Sequence, residues 1–298
     1  MLKYRYAILA FVAMCFLLVQ CGQKEKNETI LEGKATIWSD ETIAPIIEDQ
    51  VMVFESQYNA EIELVSKSET EVVNGLLNGD VKIAILSRQL TAAETKNFNS
   101  KEIYPRITKF ATDGIALIVN KKNIDTLVAL ADVIDFVKGK PVQKIKGLAF
   151  DNPNSSTLRH LKELAGVNAI PENVYSFHNN DEAIKYVADN DGIIGVIGLN
   201  WLSQPSPEMQ PIVERVTVMS VKGKTGDYVY PSQNSLAEGK YPLARDLFVA
   251  NCQGFSGIGM GFASFVAGER GQRIVLKSGL LPAHMPGRKI AIKNNINQ

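Results

Sequence analysis

Short apolar runs alternate with longer amphipathic stretches along the first third of the chain. The segments 35–38, 61–65, 81–86 and 114–120 have the length and the apolar or alternating pattern of β-strands. Between them, 43–54 and 70–77 carry apolar residues at helical spacing. Strands that alternate with helices predict an α/β unit built on a parallel sheet.

A polar stretch at 121–125 separates this unit from a second one with the same alternation. The pattern predicts helices at 126–137, from 156 onward and at 180–190, and strands that end at 150 or cover 174–177 and 192–198. A strand at 241–249 and one or two helices at 261–276 would then return to the first unit.

The fold class predicted from this order is α/β with two lobes. We expect lobe I at 33–119 plus 243–298 and lobe II at 120–242. Two connecting strands, near 114–120 and 240–249, would form a hinge between the lobes. A cleft that closes on a ligand follows from that geometry.

Four polar loops follow predicted strands, at 39–42, 66–70, 87–88 and 151–157. In an open parallel sheet, ligands bind beyond the carboxyl ends of the strands, so these loops would share one rim. The loop 151–157 leads into a helix whose first turn carries hydroxyl side chains. Unpaired N–H groups, the helix dipole and hydroxyl donors suit an oxyanion. Each loop could also be a simple helix cap, but four loops on one rim favour a site.

The N-terminus indicates where the protein acts. Lys3 and Arg5 precede an apolar stretch at 6–19, which is short for a membrane span and typical of a secretory signal. Its end at Cys21 resembles a bacterial lipoprotein signal, in which the cysteine is lipidated. We expect a signal peptide at 1–20, a solvated tether at 21–32 and an extracytoplasmic protein anchored to a bacterial membrane. The alternative is an ordinary signal anchor with an incidental cysteine.

Charge and cysteine content exclude several classes of function. The chain has 32 basic and 32 acidic residues, and removal of 1–20 takes away Lys3 and Arg5 alone, so no basic surface is expected to attract nucleic acid. Beyond Cys21 only Cys252 remains, which predicts no intramolecular disulfide. The three histidines, His160, His178 and His284, have no neighbour at metal-ligand spacing, so no metal or cofactor is expected.

Six further segments carry a family resemblance: 87–90, 112–120, 154–157, 191–198, 241–245 and 262–272. Together they resemble the phosphate-binding proteins of bacterial ABC transporters. The resemblance covers nearly the whole mature chain in order. It implies a type II periplasmic-binding-protein fold, binding of inorganic phosphate in the cleft, and delivery of phosphate to an ABC permease.

The resemblance also implies which residues bind the ligand. The matching positions are Thr42, Ser68 with Thr70 nearby, Ser87, Arg88, Asn154, Ser155, Ser156 and Thr157. Arg88 would be the charged clamp, because a guanidinium bonds two oxygens at once and stays charged when desolvated. The hydroxyl and N–H groups would share the rest of the anion's charge.

Several acidic residues depart from the family pattern. Asp40, Glu41 and Glu69 stand where small residues are usual, and Asp151 stands where an arginine is frequent. A carboxylate can accept a proton from phosphate, whereas sulfate has none to give. Candidates for that acceptor are Asp40, Glu41, Asp113 and Asp151.

Other functions stay open at this point. A hydrolase is disfavoured, because Gly254–Gly257 lacks the spacing of a nucleophile elbow and no Ser/His/Asp set is evident. A binding protein for another oxyanion or an organic phosphate is the main alternative, and a ligand-sensing lipoprotein on the same fold is a third. We expect a monomer with no enzymatic activity.

Overall fold

The computed structural model describes residues 28–224 and 226–287, so Cys21 and the predicted signal peptide lie outside the described residues. The strands are β1 Glu32–Asp40, β2 Asn59–Lys67, β3 Ile83–Leu86, β4 Arg106–Asn120, β5 Leu127–Ala129, β6 Gly147–Phe150, β7 Val174–Ser176, β8 Ile193–Gly198, β9 Val216–Val218, β10 Ser220–Lys222, β11 Tyr228–Val229, β12 Ala244–Asn251 and β13 Leu281–Pro282.

Helices follow most of the strands. They are α1 Ala44–Gln57, α2 Glu69–Asn78, α3 Ala92–Ser100, α4 Leu130–Val137, α5 Ser156–Ala165, α6 Asn180–Asp189, α7 Asn200–Ser203, α8 Gln210–Val213, α9 Gln233–Ala237, α10 Ile258–Ala267 and α11 Glu269–Lys277, with one 3₁₀ turn at Glu41–Ile43. Among the described residues, no helix combines the length and the apolarity needed to cross a membrane.

One long sheet runs through both lobes in the order β2-β1-β3-β12-β4-β8-β6-β7. The strands β1, β2 and β3 are mutually parallel in lobe I, and β6, β7 and β8 are parallel in lobe II. Between these two sets, β12 and β4 are antiparallel to each other and to their outer neighbours. The first part of β4 pairs with β12 and its end pairs with β8, so this strand connects the lobes.

Each lobe buries its own hydrophobic residues. In lobe I, α1, α10 and α11 pack on the sheet in one cluster, which includes Phe54 and Phe262 of the helices and Ile37 and Ile85 of the strands. In lobe II, α4 and α5 pack on Leu117, Leu148 and Val196. The exact lobe boundaries stay a prediction.

The structure differs from the sequence analysis at 126–137. A helix was predicted over the whole segment, but Leu127–Ala129 is a strand and the helix begins only at Leu130. The strand forms because its backbone pairs in parallel with β10, a partner more than 90 residues later in the chain. A short apolar run fits a strand or a helix equally well, and here the partner decides.

Candidate functional site

The first part of the site follows β1. The strand ends at Asp40, whose Oδ1 accepts hydrogen bonds from the N–H and the hydroxyl of Thr42, each at 3.0 Å. Both residues are fully buried. A turn that begins with a carboxylate cap is a common local solution, since the side chain satisfies an N–H group that the turn leaves free. Here it also directs the hydroxyl of Thr42 toward lobe II.

The carbonyl of Thr42 is held by lobe II. Trp201 Nε1 donates a hydrogen bond of 3.1 Å to it. A Cβ at Gly198, the last residue of β8, would collide with the same carbonyl oxygen. Glycine at that position therefore allows the two lobes to approach closely.

A buried ion pair lies between the two connecting strands. Arg245 on β12 stands opposite Asp113 on β4 in the antiparallel register. Its Nε and Nη2 both donate to Asp113 Oδ2, at 3.1 and 2.9 Å, and the two side chains are 2% and 0% exposed. A buried charge is tolerated only when it is paired and hydrogen-bonded. Asp113 fulfils this requirement for one side of the Arg245 guanidinium.

The other side of the Arg245 guanidinium contacts hydroxyl groups from both lobes. Nη1 donates to Ser156 Oγ at 2.7 Å, and Nη2 donates to Thr42 Oγ1 at 2.9 Å. The two hydroxyl oxygens are 2.9 Å apart. Because Thr42 gives its only hydroxyl proton to Asp40, Ser156 must be the donor between them. We call Thr42, Ser156 and Arg245 the hydroxyl–arginine cluster.

The loop after β6 lies beside this cluster. Asp151 is fully buried, and its Oδ1 accepts from Thr157 Oγ1 at 3.2 Å. Ser155 caps α5 by accepting from the N–H of Leu158 at 3.3 Å, and its hydroxyl is 3.1 Å from that of Thr157. Burial, followed by the charge of Asp40, raises the pKa of Asp151 to about 6.

Three more carboxylates lie close to the hydroxyl–arginine cluster. Burial raises the pKa of Glu41 to about 7, and the charges of Asp151 and Asp40 add to the rise. Burial also raises the pKa of Asp113, although Arg245 opposes the rise. One oxygen each of Asp40 and Asp113 is buried without a hydrogen-bond partner among the described residues. Those two oxygens can still accept a hydrogen bond from a ligand that carries a proton.

The structure places two more predicted residues, Ser87 and Arg88, around a different carboxylate, that of Glu69. Ser87 Oγ donates to it at 3.1 Å, and Arg88 Nε is 3.7 Å from it. The two terminal nitrogens of Arg88 are both bound to Glu94, at 2.8 Å each. Arg88 therefore does not contact the hydroxyl–arginine cluster. The guanidinium in that cluster belongs to Arg245.

Ser68, Thr70 and Asn154 lie at the edge of the cleft. Ser68 is the N-cap of α2 in a capping box with Glu71. Thr70 Oγ1 donates to the carbonyl of Asn154 at 3.4 Å, which is a further contact between the lobes. Ser68 and Ser155 are therefore helix caps, as the alternative interpretation of these loops predicted.

Arg245 is the main residue that the sequence analysis missed. It belongs to the segment 241–245, on which part of the family resemblance rests, but no role was assigned to it. The available signal was a basic residue near the start of β12, together with Asp113 just before the apolar half of β4. Charged side chains are almost never fully buried unless they are paired, so opposite charges in two strands predicted to be buried indicate an ion pair.

Comparisons with known proteins fit this geometry. A family model described as a PBP superfamily domain matches residues 26–270. The chain belongs to this superfamily. The predicted resemblance to phosphate-binding members and the predicted α/β two-lobed, type II periplasmic-binding-protein fold are confirmed.

Several members of the superfamily are similar along most of their length. The phosphate-binding protein PstS of Borreliella burgdorferi is 22% identical over 92% of this chain and 97% of its own. The protein of the same name from Staphylococcus aureus is 23% identical over 84% of this chain and 78% of its own. A substrate-binding protein of Clostridium perfringens, solved with bound phosphate, has a TM-score of 0.71 at 20% identity and covers 85% of this chain and 100% of its own.

Proposed function

We propose that this protein captures inorganic phosphate in the cleft between its lobes and delivers it to an ABC permease. The observation that carries the proposal is the buried guanidinium of Arg245, which bonds one hydroxyl from each lobe. Donors from both lobes that converge on one point can surround an anion when the cleft closes. The names of the PstS relatives support phosphate as that anion.

In this proposal the ligand's oxygens exchange with the hydrogen bonds that now join the lobes. Arg245 is the charged clamp, since its fork can bond two oxygens of a tetrahedral anion. Thr42, Ser155, Ser156 and Thr157 supply hydroxyls, and the first N–H groups of α5 add backbone donors. Ser68, Thr70, Ser87, Arg88 and Asn154 complete the predicted set at the rim.

Asp40 is our first candidate for the group that accepts the ligand's proton. Its Oδ1 already holds Thr42, and its Oδ2 is buried without a hydrogen-bond partner among the described residues. An unpaired acceptor at that place bonds a protonated phosphate and rejects sulfate, because sulfate would leave two lone pairs facing each other. Glu41, Asp113 and Asp151 remain the other candidates.

The cellular setting is part of the proposal. Lipidation of Cys21 and a tether at 21–32 would hold the folded lobes outside the cytoplasm, next to a permease. The first described residue, Glu28, is already bound to lobe I, since its side chain accepts from the N–H of Ile258 at 2.6 Å. The role is that of a monomeric binding protein without catalysis.

Titration calorimetry tests this function with phosphate, sulfate and molybdate. We expect the wild type to bind phosphate and to give no heat with sulfate. Arg245→Met should lose phosphate binding, whereas Arg215→Met should retain it, because Arg215 pairs with Asp189 on the exterior of lobe II. Absence of phosphate binding by the wild type, or equal binding of sulfate, would contradict the proposal.

A phosphate ester is a second candidate ligand. The side chains of Asn180 and Asn200 are buried, and neither carboxamide has a hydrogen-bond partner among the described residues. Both lie near the 3₁₀ turn that carries Thr42. The backbone N–H of Asn180 lowers the pKa of Glu41, and a Cβ at Gly198 would collide with the Thr42 carbonyl oxygen and lie 2.8 Å from Asn200 Oδ1. Carboxamides both donate and accept, so they suit a hydroxyl-bearing substituent. Glycerol phosphate in the same calorimeter distinguishes this candidate from inorganic phosphate.

A further inference from the structure

Glu69 places a negative charge between the lobes. Its side chain is 2% exposed and accepts hydrogen bonds from two other elements. Ser87 Oγ, at the end of β3, donates to Oε1 at 3.1 Å. Arg159, on α5 of lobe II, donates from Nη2 to Oε1 at 3.3 Å and from Nε to Oε2. The carboxylate of Glu69 therefore connects lobe I to lobe II.

The helix that carries Glu69 does not need this carboxylate. Ser68 and Glu71 form the capping box of α2, so the N–H groups of these two residues have their acceptors without Glu69. Burial, followed by the charge of Asp40, raises the pKa of Glu69, and Arg159 and Arg88 oppose the rise. Within the cleft, the two arginines are therefore the groups that favour the charged form of Glu69.

These partners have the chemistry of an oxyanion site. Ser87 and Arg159 hydrogen-bond the two oxygens of Glu69. The Arg88 guanidinium adds a positive charge, since its Nε is 3.7 Å from Glu69 while its terminal nitrogens bind Glu94. Arginine pairs bidentately with carboxylate and with phosphate in the same geometry. A carboxylate that fills such a set occupies the place where two oxygens of an external oxyanion would bind.

We propose that Arg159 adds to the predicted ligand residues Ser87 and Arg88 as part of an oxyanion subsite, and that Glu69 is an internal anion that occupies this subsite when the cleft closes without solute. The inference rests on the proposed function for the identity of the solute, inorganic phosphate. The solute's oxyanion displaces Glu69 from the two arginines. Glu69 therefore competes with phosphate, and its ion pair with Arg159 holds the lobes together until phosphate arrives.

The sign of one affinity change tests this inference. Glu69→Gln keeps the size of the side chain and removes the charge, so calorimetry should show phosphate binding that is tighter by roughly tenfold, the equivalent of about 1.4 kcal/mol. Glu163→Gln is the matched control: Glu163 also pairs with Arg159, at 2.7 Å, but is 60% exposed outside the cleft. It should leave the affinity within about twofold, as expected for a surface ion pair.

Three results would overturn the subsite. Weaker binding by Glu69→Gln means that Glu69 is a support that stays in place when the solute binds, and unchanged binding means that it does not compete. If Glu69→Gln does not fold, Glu69→Ala replaces it, because the capping box of α2 remains. In the Glu69→Gln background, Arg159→Gln should then weaken phosphate binding, and a failure to do so also overturns the subsite.

Small-angle X-ray scattering without phosphate separates this inference from the proposed function. The wild type and Glu163→Gln should be more compact than Glu69→Gln, because only the last variant loses the interlobe ion pair. Equal radii of gyration would overturn the role of Glu69 in closure. If no variant binds phosphate, the proposed function and the phosphate subsite fail, while a compact wild type next to an expanded Glu69→Gln upholds the internal anion.

Discussion

Arg245 and Asp113 face each other across the two strands that connect the lobes, and both are buried. The guanidinium donates two hydrogen bonds to a single oxygen of the carboxylate. Its remaining donors reach Ser156 in lobe II and Thr42 in lobe I. The Arg245 side chain therefore bonds both a buried carboxylate between the connecting strands and the hydroxyl groups of the cleft.

Removal of Arg245 should affect stability and binding separately. Arg245→Met leaves Asp113 buried without its partner, which costs about 3–5 kcal/mol of unfolding free energy. The double variant Arg245→Met with Asp113→Leu should recover most of that loss, because neither charge of the pair is then left buried without its partner. Urea unfolding measures both.

Phosphate binding should not return in the double variant. Calorimetry on the refolded double variant checks this. Recovery of binding together with stability would assign Arg245 a purely structural role.

Ser155 and Ser156 are neighbours with different expected roles. Ser155 caps α5, so Ser155→Ala should lower the free energy of unfolding by about 1 kcal/mol. Ser156 bonds Arg245 and Thr42, so Ser156→Ala should weaken phosphate binding more than Ser155→Ala does. Thermal unfolding and calorimetry on both variants provide the comparison, and the opposite order of affinities would argue against the hydroxyl–arginine cluster as the ligand site.

The buried carboxylates predict a loss of stability as pH rises. Burial raises the pKa of Asp151 from 3.8 to about 6 in the folded protein. The folded state holds this proton more tightly than the unfolded state, so the stabilisation is complete below pH of about 4 and is lost as pH rises through about 6. Glu41, with its pKa raised to about 7, extends the loss to neutral pH.

Asp151→Asn isolates the first of these groups. Its amide keeps an acceptor for Thr157 and carries no charge at any pH. The variant should match the wild type at pH 4 and exceed it at pH 8 by about 2–3 kcal/mol, the free energy that corresponds to the pKa shift. Urea unfolding of both proteins at the two pH values measures this difference. An equal change in stability between pH 4 and pH 8 in the variant and the wild type would mean that Asp151 does not titrate in this range.

The lipid anchor predicts a change of fraction after cell lysis. Cys21→Ser should move the protein from the membrane fraction to the soluble extracytoplasmic fraction, because a serine cannot carry the thioether-linked lipid. Cys15→Ser is the control, since Cys15 lies in the segment expected to be removed. Fractionation with metabolic labelling by a fatty acid checks both. A labelled Cys21→Ser protein in the membrane fraction would exclude this anchor.

The sequence pattern predicted most of the elements because each depends on local spacing. The strands at 35–38 and 61–65 and the helices from 43 and 70 occur within a few residues of the predicted bounds. Loops at the carboxyl ends of β1, β2 and β3 lie on one rim because these strands are parallel. The helix predicted at 126–129 was wrong because the strand that forms there depends on a partner, β10, that lies far away in sequence.

By itself, the sequence determined the alternation of strands and helices, the positions of the polar loops and the excess of acidic residues around them. Only the tertiary structure decided that Arg245, not Arg88, contacts Thr42 and Ser156, and that Glu69 is bound by Arg159 of the other lobe. The physical reason is that local hydrogen bonds and apolar spacing act within a few residues. Charge pairs in the cleft join side chains brought together only by the pairing of β4 with β12 and by the approach of the two lobes.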